Sequence, residues 1–498
     1  MTRRQPTDRP LQWFLALVVV SFAVGAPALH GPYYADDFQF VFDPPHLDPF
    51  YHFSHENPHN PFYRPIQSAL LAAVQSGFGL STWPIHAGSI VLHALLGFLV
   101  FRMVSGLGLG RGEARLASLL VVASQAAVPA VAGNDTLSQL LGTLAGYLSL
   151  WWFYRWARGE KVSARGIGDR RYLGALAMLA VALFAKETGV AFVLLAALVL
   201  LTGLPAPRGP VPGMRARAAR LVPIGVVFVL YLAARSAGAS AVPEMGENRY
   251  GFALGLNIPR NLAMLWTAAT IPFSSVTMFT AVATGDRMTL AGLGAAYAVL
   301  LSLVAVGLWR RRREARVWWQ AGVGLLSVAT IVPIKQVSEL YAYQLLPAAA
   351  ALLAVGLVSA GQAARQRKPW RILWMVAVAS LVAGNAVASF SKAGMMHACG
   401  TRAAVLLDQI APLAREAPAG GELVLVNPPA EGPAYSTFRV PGFGVLRHAE
   451  HYVARRAGRE DITVRIASGD DGDAGPAPGR VVLGLDGDRV RRYDLSGP

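Results

Sequence analysis

The sequence predicts an all-α polytopic membrane protein with a small soluble α/β tail at its C-terminal end. Of the 498 residues, 54% are hydrophobic and 15% are charged, and the mean hydropathy is +0.41. Soluble globular chains carry about 25% charged residues, so this composition is typical of membrane proteins. Long apolar runs recur up to about residue 390, and Gly, Pro and charged residues return after that point.

A helix needs about 20 apolar residues to cross a bilayer, and each predicted span is an apolar run close to that length. The runs lie at 11–30, 84–104, 116–132, 136–156, 172–186, 188–204, 221–236, 289–309, 316–333, 345–361 and 371–390. They predict about eleven transmembrane helices, some of them short. The first run has no small-residue cleavage site where one would be needed, so we interpret it as a retained span.

Basic residues predict which loops face the cytoplasm, because cytoplasmic loops carry an excess of Lys and Arg. Such residues gather in alternate loops, at 3–9, 111–115, 155–171, 208–220, 310–316 and 365–371. We therefore expect a cytoplasmic N-terminus and an outer position for the other loops. The same loops account for the net charge of +16, so no nucleic acid is expected as a partner.

Two segments depart from this series of spans. The stretch 256–285 is apolar, but a full span there would move the basic loop at 310–316 to the outside, so we expect an outer-face or re-entrant helix. The segment 392–498 contains the strand-like runs GELVLVNP and RVVLGLDGDRV. We expect it to form an extracytoplasmic α/β tail after a membrane domain of residues 1–391, whose first outer loop covers 31–83.

Two adjacent acids, Asp36 and Asp37, follow the first span in the segment GPYYADDFQF. The loop after them, FYHFSHENPHNPFYRP, is dense in His, Asn, Pro and aromatic residues. One acid could act as a general base, or the pair could bind a divalent cation through oxygen ligands. A lone acid at this position would be interpreted as a solvated cap. The histidines match no standard zinc spacing, and the single cysteine excludes an intrachain disulfide.

Five segments, taken in order, resemble the landmarks of integral-membrane GT-C glycosyltransferases. They are YYADDFQF, FYRPIQSALLAAVQSGFGLSTWPIHAGSIVLHALLGFLVF, VPAVAGNDTLSQLLGTLAGYLSLWWF, LFAKETG and SELYAYQLLPAAA. The resemblance covers most of residues 11–361 and is closest to the protein O-mannosyltransferase and TMTC-like branch. It implies a polyprenyl-phosphate-linked sugar donor, an active site at the outer face, and inverting hexosyl or mannosyl transfer to a hydroxyl of a protein, glycan or lipid. Carried onto this chain, it implies that Asp36 or Asp37 is the catalytic base.

Two positions depart from the pattern of this family. Where relatives carry an arginine after the third span this chain reads Gly-Asn-Asp at 133–135, and where they read Glu-Arg-Tyr it reads Glu-Leu-Tyr at 339–341. A lipid phosphate needs charge-assisted donors near the membrane surface, and the candidates are Arg64, Lys186, Arg235 and Lys335. The candidates for further substrate contacts are His55, Glu56, Tyr63, Asn134, Asp135, Glu187, Glu339 and Tyr341.

Other interpretations stay open. The charges in LFAKETG could form a salt-bridged helical hairpin instead of a functional site. The protein could be a transporter or flippase of lipid-linked or small solutes, although we see no paired Gly/Pro-broken helices in corresponding halves. It could also be a catalytically inactive GT-C-like envelope scaffold, because two arginines are missing. No cofactor is certain, and a divalent cation remains an alternative. The Ala/Gly/Arg-rich composition favours a bacterial inner membrane, with the tail periplasmic or extracellular.

Overall fold

The structure is a computed structural model that describes most of the chain. The described residues are 10–55, 57, 59–60, 62–157, 168–202, 214–238, 251–364, 368–427, 437–468, 475 and 477–493. The candidate Glu56 lies outside them. So do all or part of the basic loops predicted at 3–9, 155–171, 208–220 and 365–371.

The helices of the membrane domain follow the predicted apolar runs. Every run coincides with one helix, except that 116–132 coincides with two. In chain order the helices are α1 (Pro10–Gly25), α2 (Tyr51–Ser54), α3 (Pro65–Phe78), α4 (Trp83–Gly106), α5 (Arg111–Ala123), α6 (Val128–Ala132), α7 (Leu137–Ala157), α8 (Arg170–Ala185), α9 (Val190–Thr202), α10 (Met214–Ala219), α11 (Val222–Gly238), α12 (Asn257–Thr270), α13 (Ser275–Thr284), α14 (Arg287–Arg310), α15 (Ala315–Ser327), α16 (Ala342–Ala364), α17 (Lys368–Arg415) and α18 (Glu450–Ala457).

Some of these helices are long and apolar enough to cross a membrane alone. Among the described residues there are five, namely Pro10–Ala28, Trp83–Gly106, Arg287–Arg310, Glu339–Ala364 and Lys368–Arg415. Arg111–Ala123 and Gln125–Ala132 meet the same criterion together, with a bend of 48°, which makes six. These helices indicate an integral membrane protein. The total of about eleven spans and the orientation stay predictions.

The apolar stretch 256–285 forms two helices, α12 and α13, instead of one. Pro272 lies in the break between them, where its missing N–H and its effect on the preceding residue end a helix. In α13, Val276 is buried in a hydrophobic cluster shared by the loop after α1 and the tail. The hydroxyl of Thr280 accepts a hydrogen bond from Arg439 of the tail at 3.2 Å. Helix α13 therefore lies on the tail side of the molecule.

Two glycines let α14 and α16 approach each other closely. A methyl group on Gly307 would overlap the backbone carbonyl of Gly356. Small residues at such crossings let membrane helices pack with backbone in contact. We expect Gly307→Ala to destabilise the protein by about 1–3 kcal/mol, the usual cost of overpacking, measured by thermal unfolding in detergent.

Gly292→Ala is the matched control for this prediction. Gly292 lies in the same helix α14, and nothing lies within 4 Å of a methyl group placed there. Its melting temperature should equal or slightly exceed that of the wild type, because alanine favours a helix over glycine. If both variants melt at the wild-type temperature, the close crossing of α14 and α16 is wrong.

The tail contains a four-stranded sheet formed by β1 (Glu422–Asn427), β2 (Thr463–Ser468), β3 (Arg480–Asp486) and β4 (Arg489–Arg492). The strand order is β2-β1-β3-β4, with β1 parallel to both β2 and β3, and β4 antiparallel to β3. Gly487 supplies the positive φ of 62° in the turn that joins β3 to β4. Helices α17 and α18 share a hydrophobic cluster with β1, β2 and β3. The predicted small α/β tail is confirmed.

A single helix joins the two parts of the protein. Helix α17 has 48 residues, so the predicted boundary at 391 falls inside it. At 1.5 Å per residue it is about 72 Å long, against about 30 Å for the hydrocarbon core of a bilayer. Its later residues Leu406, Leu407 and Ile410 are buried in the cluster shared with the sheet. The tail is thus attached through a continuous helix.

Candidate active site

Asp37 is a buried carboxylate that joins the loop after α1 to the turn between α6 and α7. It lies in a short 3-10 turn at 35–40 and is 2% exposed. It accepts hydrogen bonds from the backbone N–H groups of Asn134 and Asp135, both at 2.9 Å. The side-chain amide of Asn134 donates at 3.1 Å, and the backbone N–H of Tyr34 donates at 3.3 Å. Because both oxygens of Asp37 are occupied, this residue holds the loop in place.

Asp135 adds a second acid to this buried turn. Burial raises the pKa of Asp37 to about 6, against the opposing effect of its hydrogen bonds from Asp135, Asn134 and Tyr34. Burial and the negative charges of Asp37 and Asp36 raise the pKa of Asp135 well above its usual value. Two such close carboxyl groups resist carrying both charges. The pair therefore favours a shared proton over two full negative charges.

Asp36 has a different environment from its neighbour. Its side chain is 41% exposed, and two side chains of the tail contact it. The Nη2 atom of Arg447 lies 2.7 Å from Oδ1, and the Nε2 atom of His448 lies 3.4 Å from the same oxygen. Burial alone would raise the pKa of Asp36, but the hydrogen bond to His448 and the charge of Arg447 lower it. Asp36 is therefore an ionised carboxylate within reach of solvent.

Two cations, Arg64 and Lys186, interact electrostatically with Asp135. Arg64 and Glu187 form a bidentate ion pair, with Nε–Oε2 at 3.0 Å and Nη2–Oε1 at 2.7 Å. The neighbouring Lys186 is 2% exposed and interacts electrostatically with Asp135. Its ammonium lies 5.7 Å from the ring centre of Tyr341, and this ammonium makes no hydrogen bond or ion pair with any described residue. Lys186 is therefore a buried cation that can still take an anionic partner.

Comparison with known proteins identifies the fold of this chain. No family model matches the sequence, and no curated protein sequence matches it. The apo oligosaccharyltransferase of Archaeoglobus fulgidus is similar in structure, with a TM-score of 0.52, 11% identity, and coverage of 95% of this chain and 67% of that chain. This likeness decides the fold. The chain has the GT-C fold.

Two further solved structures have lower TM-scores to this chain. ArnT from Cupriavidus metallidurans, bound to undecaprenyl phosphate, has a TM-score of 0.46 and 13% identity over 95% of this chain and 93% of that chain. AglB from Archaeoglobus fulgidus, in complex with an inhibitory peptide and a dolichol-phosphate, has a TM-score of 0.48 and 11% identity over 91% of this chain. The match spans 64% of that AglB chain.

Sequence reasoning missed one charged residue of the GT-C domain. Lys392 in α17 is fully buried, and its ammonium lies 2.6 Å from the Oε1 atom of Glu339. It also donates to the side chain and backbone oxygens of Gln125, at 2.7 and 3.1 Å, and to the hydroxyl of Ser275 at 3.1 Å. Glu339, a predicted substrate contact, is therefore ion-paired within the protein. A lone lysine in an apolar helix was the signal that could have identified it.

The other predicted residues have separate partners in the GT-C domain. His55 is exposed and stacks on Tyr51 at 4.3 Å, and Tyr63 donates to the carbonyl of Phe53 at 3.0 Å. The guanidinium of Arg235 donates to Tyr231 at 3.4 Å, and Lys335 is exposed. No contact among the described residues joins His55, Arg235 or Lys335 to Asp36, Asp37 or Asp135.

A cavity of about 380 Å³ lies beside the acid-bearing loop, between the GT-C domain and the tail. Its walls include Tyr33 and Phe38 of the loop, Trp83 at the start of α4, and Tyr452 and Arg456 of α18. Phe38 and Tyr452 stack with ring centres 5.5 Å apart. Part of the aromatic wall of the cavity therefore comes from the loop that carries the two aspartates.

The acids do not form an evident metal site. Among the described residues no group of three or more His, Cys, Asp or Glu side chains is placed to hold a metal ion. The oxygens of Asp37 already accept four N–H groups, and Asp36 is ion-paired to Arg447. A hard divalent cation needs several oxygen ligands that are free to coordinate it. No chemical step is therefore assigned to a metal ion.

Proposed function

We propose that the protein is a membrane glycosyltransferase that moves a sugar from a polyprenyl-phosphate-linked donor to an acceptor hydroxyl, with inversion at the anomeric carbon. The observation that carries this proposal is Asp36, an ionised carboxylate that is accessible to solvent and interacts electrostatically with Asp135, which interacts in turn with the buried cation Lys186. The GT-C fold of an integral membrane protein supports it. Asp36 is the proposed base, whereas Asp37 and Asn134 hold its loop.

In the proposed reaction, Asp36 removes the proton of the acceptor hydroxyl. The hydroxyl oxygen attacks the anomeric carbon from the face opposite the phosphate, and the bond between that carbon and the phosphate oxygen breaks. The electron pair leaves with the lipid phosphate. Lys186 stabilises the developing negative charge, because a cation fixed in a water-poor site needs little reorganisation. Arg64 forms an ion pair with Glu187, the neighbour of Lys186 in the chain, and adds a second positive charge to this part of the site.

The finer features of this proposal come from the resemblance in the sequence. We propose a mannosyl or other hexosyl donor, as in the protein O-mannosyltransferase and TMTC-like branch, and a protein, glycan or lipid acceptor. Because Arg447 of the tail contacts Asp36, the tail and the acids lie on one side of the membrane. The basic loops favour the outer side, with a cytoplasmic N-terminus in a bacterial inner membrane.

Lys186→Met is expected to weaken the binding of the donor. A hydrogen bond to a charged group contributes about 1.5–3 kcal/mol, and about 1.4 kcal/mol corresponds to a factor of ten. The KM for a polyprenyl-phosphate sugar should therefore rise about 10-fold to 100-fold. The measurement is the initial rate of sugar transfer by purified protein at increasing donor concentration.

Lys335→Met is the control, since Lys335 is also a predicted phosphate ligand but is exposed. Its KM for the donor should stay at the wild-type value. A raised KM for Lys335→Met together with an unchanged KM for Lys186→Met would move the proposed phosphate site to Lys335.

A transfer assay tests the function itself. Purified protein in lipid nanodiscs is supplied with polyprenyl-phosphate donors carrying radiolabelled mannose or another hexose, and with peptide, glycan and lipid acceptors. We expect labelled acceptor and free polyprenyl phosphate with the wild type, and neither with Asp36→Asn. Movement of an intact labelled donor across a proteoliposome membrane, without cleavage, would instead indicate a flippase. Binding of donor without cleavage for every acceptor would favour an inactive scaffold.

A further inference from the structure

The tail contributes two side chains to the acid that lies at the end of the first span. Arg447 and His448 both approach Oδ1 of Asp36, at 2.7 and 3.4 Å. All three side chains are between 41% and 46% exposed, so the contact lies where solvent and an acceptor can reach it. Two donors on one oxygen fix the plane of the carboxylate and leave Oδ2 to take a proton.

Backbone strain marks both sides of this contact. Among the described residues, Ala35 (φ 49°) and His448 (φ 65°) are the non-glycine residues with positive φ. A left-handed backbone is unfavourable for a residue with a Cβ atom, and it persists where the surrounding structure imposes it, often at functional sites. Ala35 directly precedes Asp36, and His448 directly follows Arg447. The two strained positions therefore set the direction of the acid and of its partners.

Well-packed neighbours hold the strained segment of the tail. Phe443, Val445, Leu446 and Ala449 surround it in sequence and are all 0% exposed. The backbone N–H of Phe443 donates to the side chain of Asn427 at the end of β1, at 2.6 Å. Because buried residues flank it on both sides, the position of Arg447 and His448 is a property of the folded tail.

The tail also contacts the acid-bearing loop on both sides of Asp36. Before it, the hydroxyl of Tyr34 donates to the carbonyl of Thr437 at 2.9 Å. After it, Phe38 stacks on Tyr452, and His451 contacts the carbonyl of Val41 at 3.3 Å. These contacts hold the loop against the tail, so the loop and the tail form one structural unit around Asp36.

We propose that Arg447 and His448 are positioning residues of the transferase, through which the tail orients Asp36 and keeps it ready to accept a proton. This inference rests on the proposed function of Asp36 as the base. The titratable groups facing Asp36 are Arg447 and His448 from the tail, Asp135 from the turn between α6 and α7, and Tyr34 from its own loop. Burial opposes the ionisation of Asp36, and the tail cation at 2.7 Å offsets this effect.

The first experiment is the pH profile of sugar transfer by Arg447→Gln and Arg447→Lys. A neighbouring arginine lowers a carboxyl pKa by about 1–3 units, and partial exposure places this contact at the lower end. Without the charge, the acidic limb of kcat/KM should move up by about one pH unit, and the KM for the donor should stay unchanged. Arg447→Lys should restore most of the wild-type profile. Arg491→Gln removes an exposed tail arginine paired with Asp486, and serves as the matched control.

A second experiment needs no enzymatic activity. Asp36→Cys, made in a Cys399→Ser background, places one thiol at the acid position, because Cys399 is the single native cysteine. A nearby cation lowers a thiol pKa. The pH dependence of alkylation should therefore give a lower thiol pKa with Arg447 present than with Arg447→Gln.

The two experiments separate the inference from the function on which it rests. An active wild type whose pH profile does not change in Arg447→Gln overturns the inference and leaves the proposed function standing. If the wild type transfers no sugar but Arg447 still lowers the thiol pKa, the proposed function is overturned, whereas the contact between Arg447 and position 36 is confirmed. An equal thiol pKa with and without Arg447 overturns the inference in either case.

Discussion

Replacing Asp36 by asparagine is expected to lower the turnover of sugar transfer by about a hundredfold to ten-thousandfold, the usual contribution of a general base. The amide keeps the size of the side chain but cannot accept the proton of the acceptor hydroxyl. The KM for the donor should change little, because the proposed phosphate ligand is Lys186. The measurement is the turnover of purified Asp36→Asn at saturating donor and acceptor.

Asp37→Asn is the control that separates catalysis from structure. Asp37 accepts four N–H groups, and an amide would turn its own NH2 toward at least one of them. A buried donor left without an acceptor costs about 1–3 kcal/mol, so Asp37→Asn should lower the melting temperature whereas Asp36→Asn should not. Full activity of both variants would refute the proposed mechanism. A loss of turnover in Asp37→Asn alone, without destabilisation, would make Asp37 the base.

Replacing Lys392 by methionine is expected to destabilise the protein by about 3–5 kcal/mol, the cost of removing one charged partner of a buried ion pair. The lysine is fully buried, and Glu339 has only 7% of its side chain exposed. Without Lys392 the carboxylate loses its counter-ion in a region that water hardly reaches. The measurement is thermal or chemical unfolding of the variant and the wild type in the same detergent.

The double variant Lys392→Met/Glu339→Gln checks the cause of this loss. Because it removes both charges together, no buried charge stays unpaired, and such replacements are often close to neutral. It should therefore recover most of the stability lost in Lys392→Met. If the single variant is as stable as the wild type, or the double variant is the less stable of the two, the buried pair does not stabilise the protein.

Several elements could be predicted from the sequence because they depend on local properties. The run at 84–104 became Trp83–Gly106, and the run at 345–361 became Ala342–Ala364. The strand-like segment GELVLVNP contains β1, which ends at Asn427. The length of an apolar run and the pattern of a strand depend only on neighbouring residues, so these elements can be predicted without the rest of the chain. The predicted boundary at 391 falls inside α17, which continues past it and packs against the tail.

The two adjacent acids show where sequence reasoning about the site stops. The sequence identified both acids and also the residues 134–135, which the structure shows to bind Asp37. It could not assign different environments to Asp36 and Asp37. Adjacent residues of an extended or tightly turned segment point in different directions, and only the packing decides which one is buried. Asp37 lies against the turn between α6 and α7, whereas Asp36 lies against the tail.

The sequence by itself determined that the chain is a helical membrane protein with a small α/β tail and an acid pair after its first span. Only the tertiary structure decided which residues meet those acids. Arg447 and His448 come from the opposite end of the chain. Lys392 of α17 pairs with Glu339, which lies just before α16. Hydropathy is a property of each segment, whereas an ion pair depends on how distant segments pack against each other.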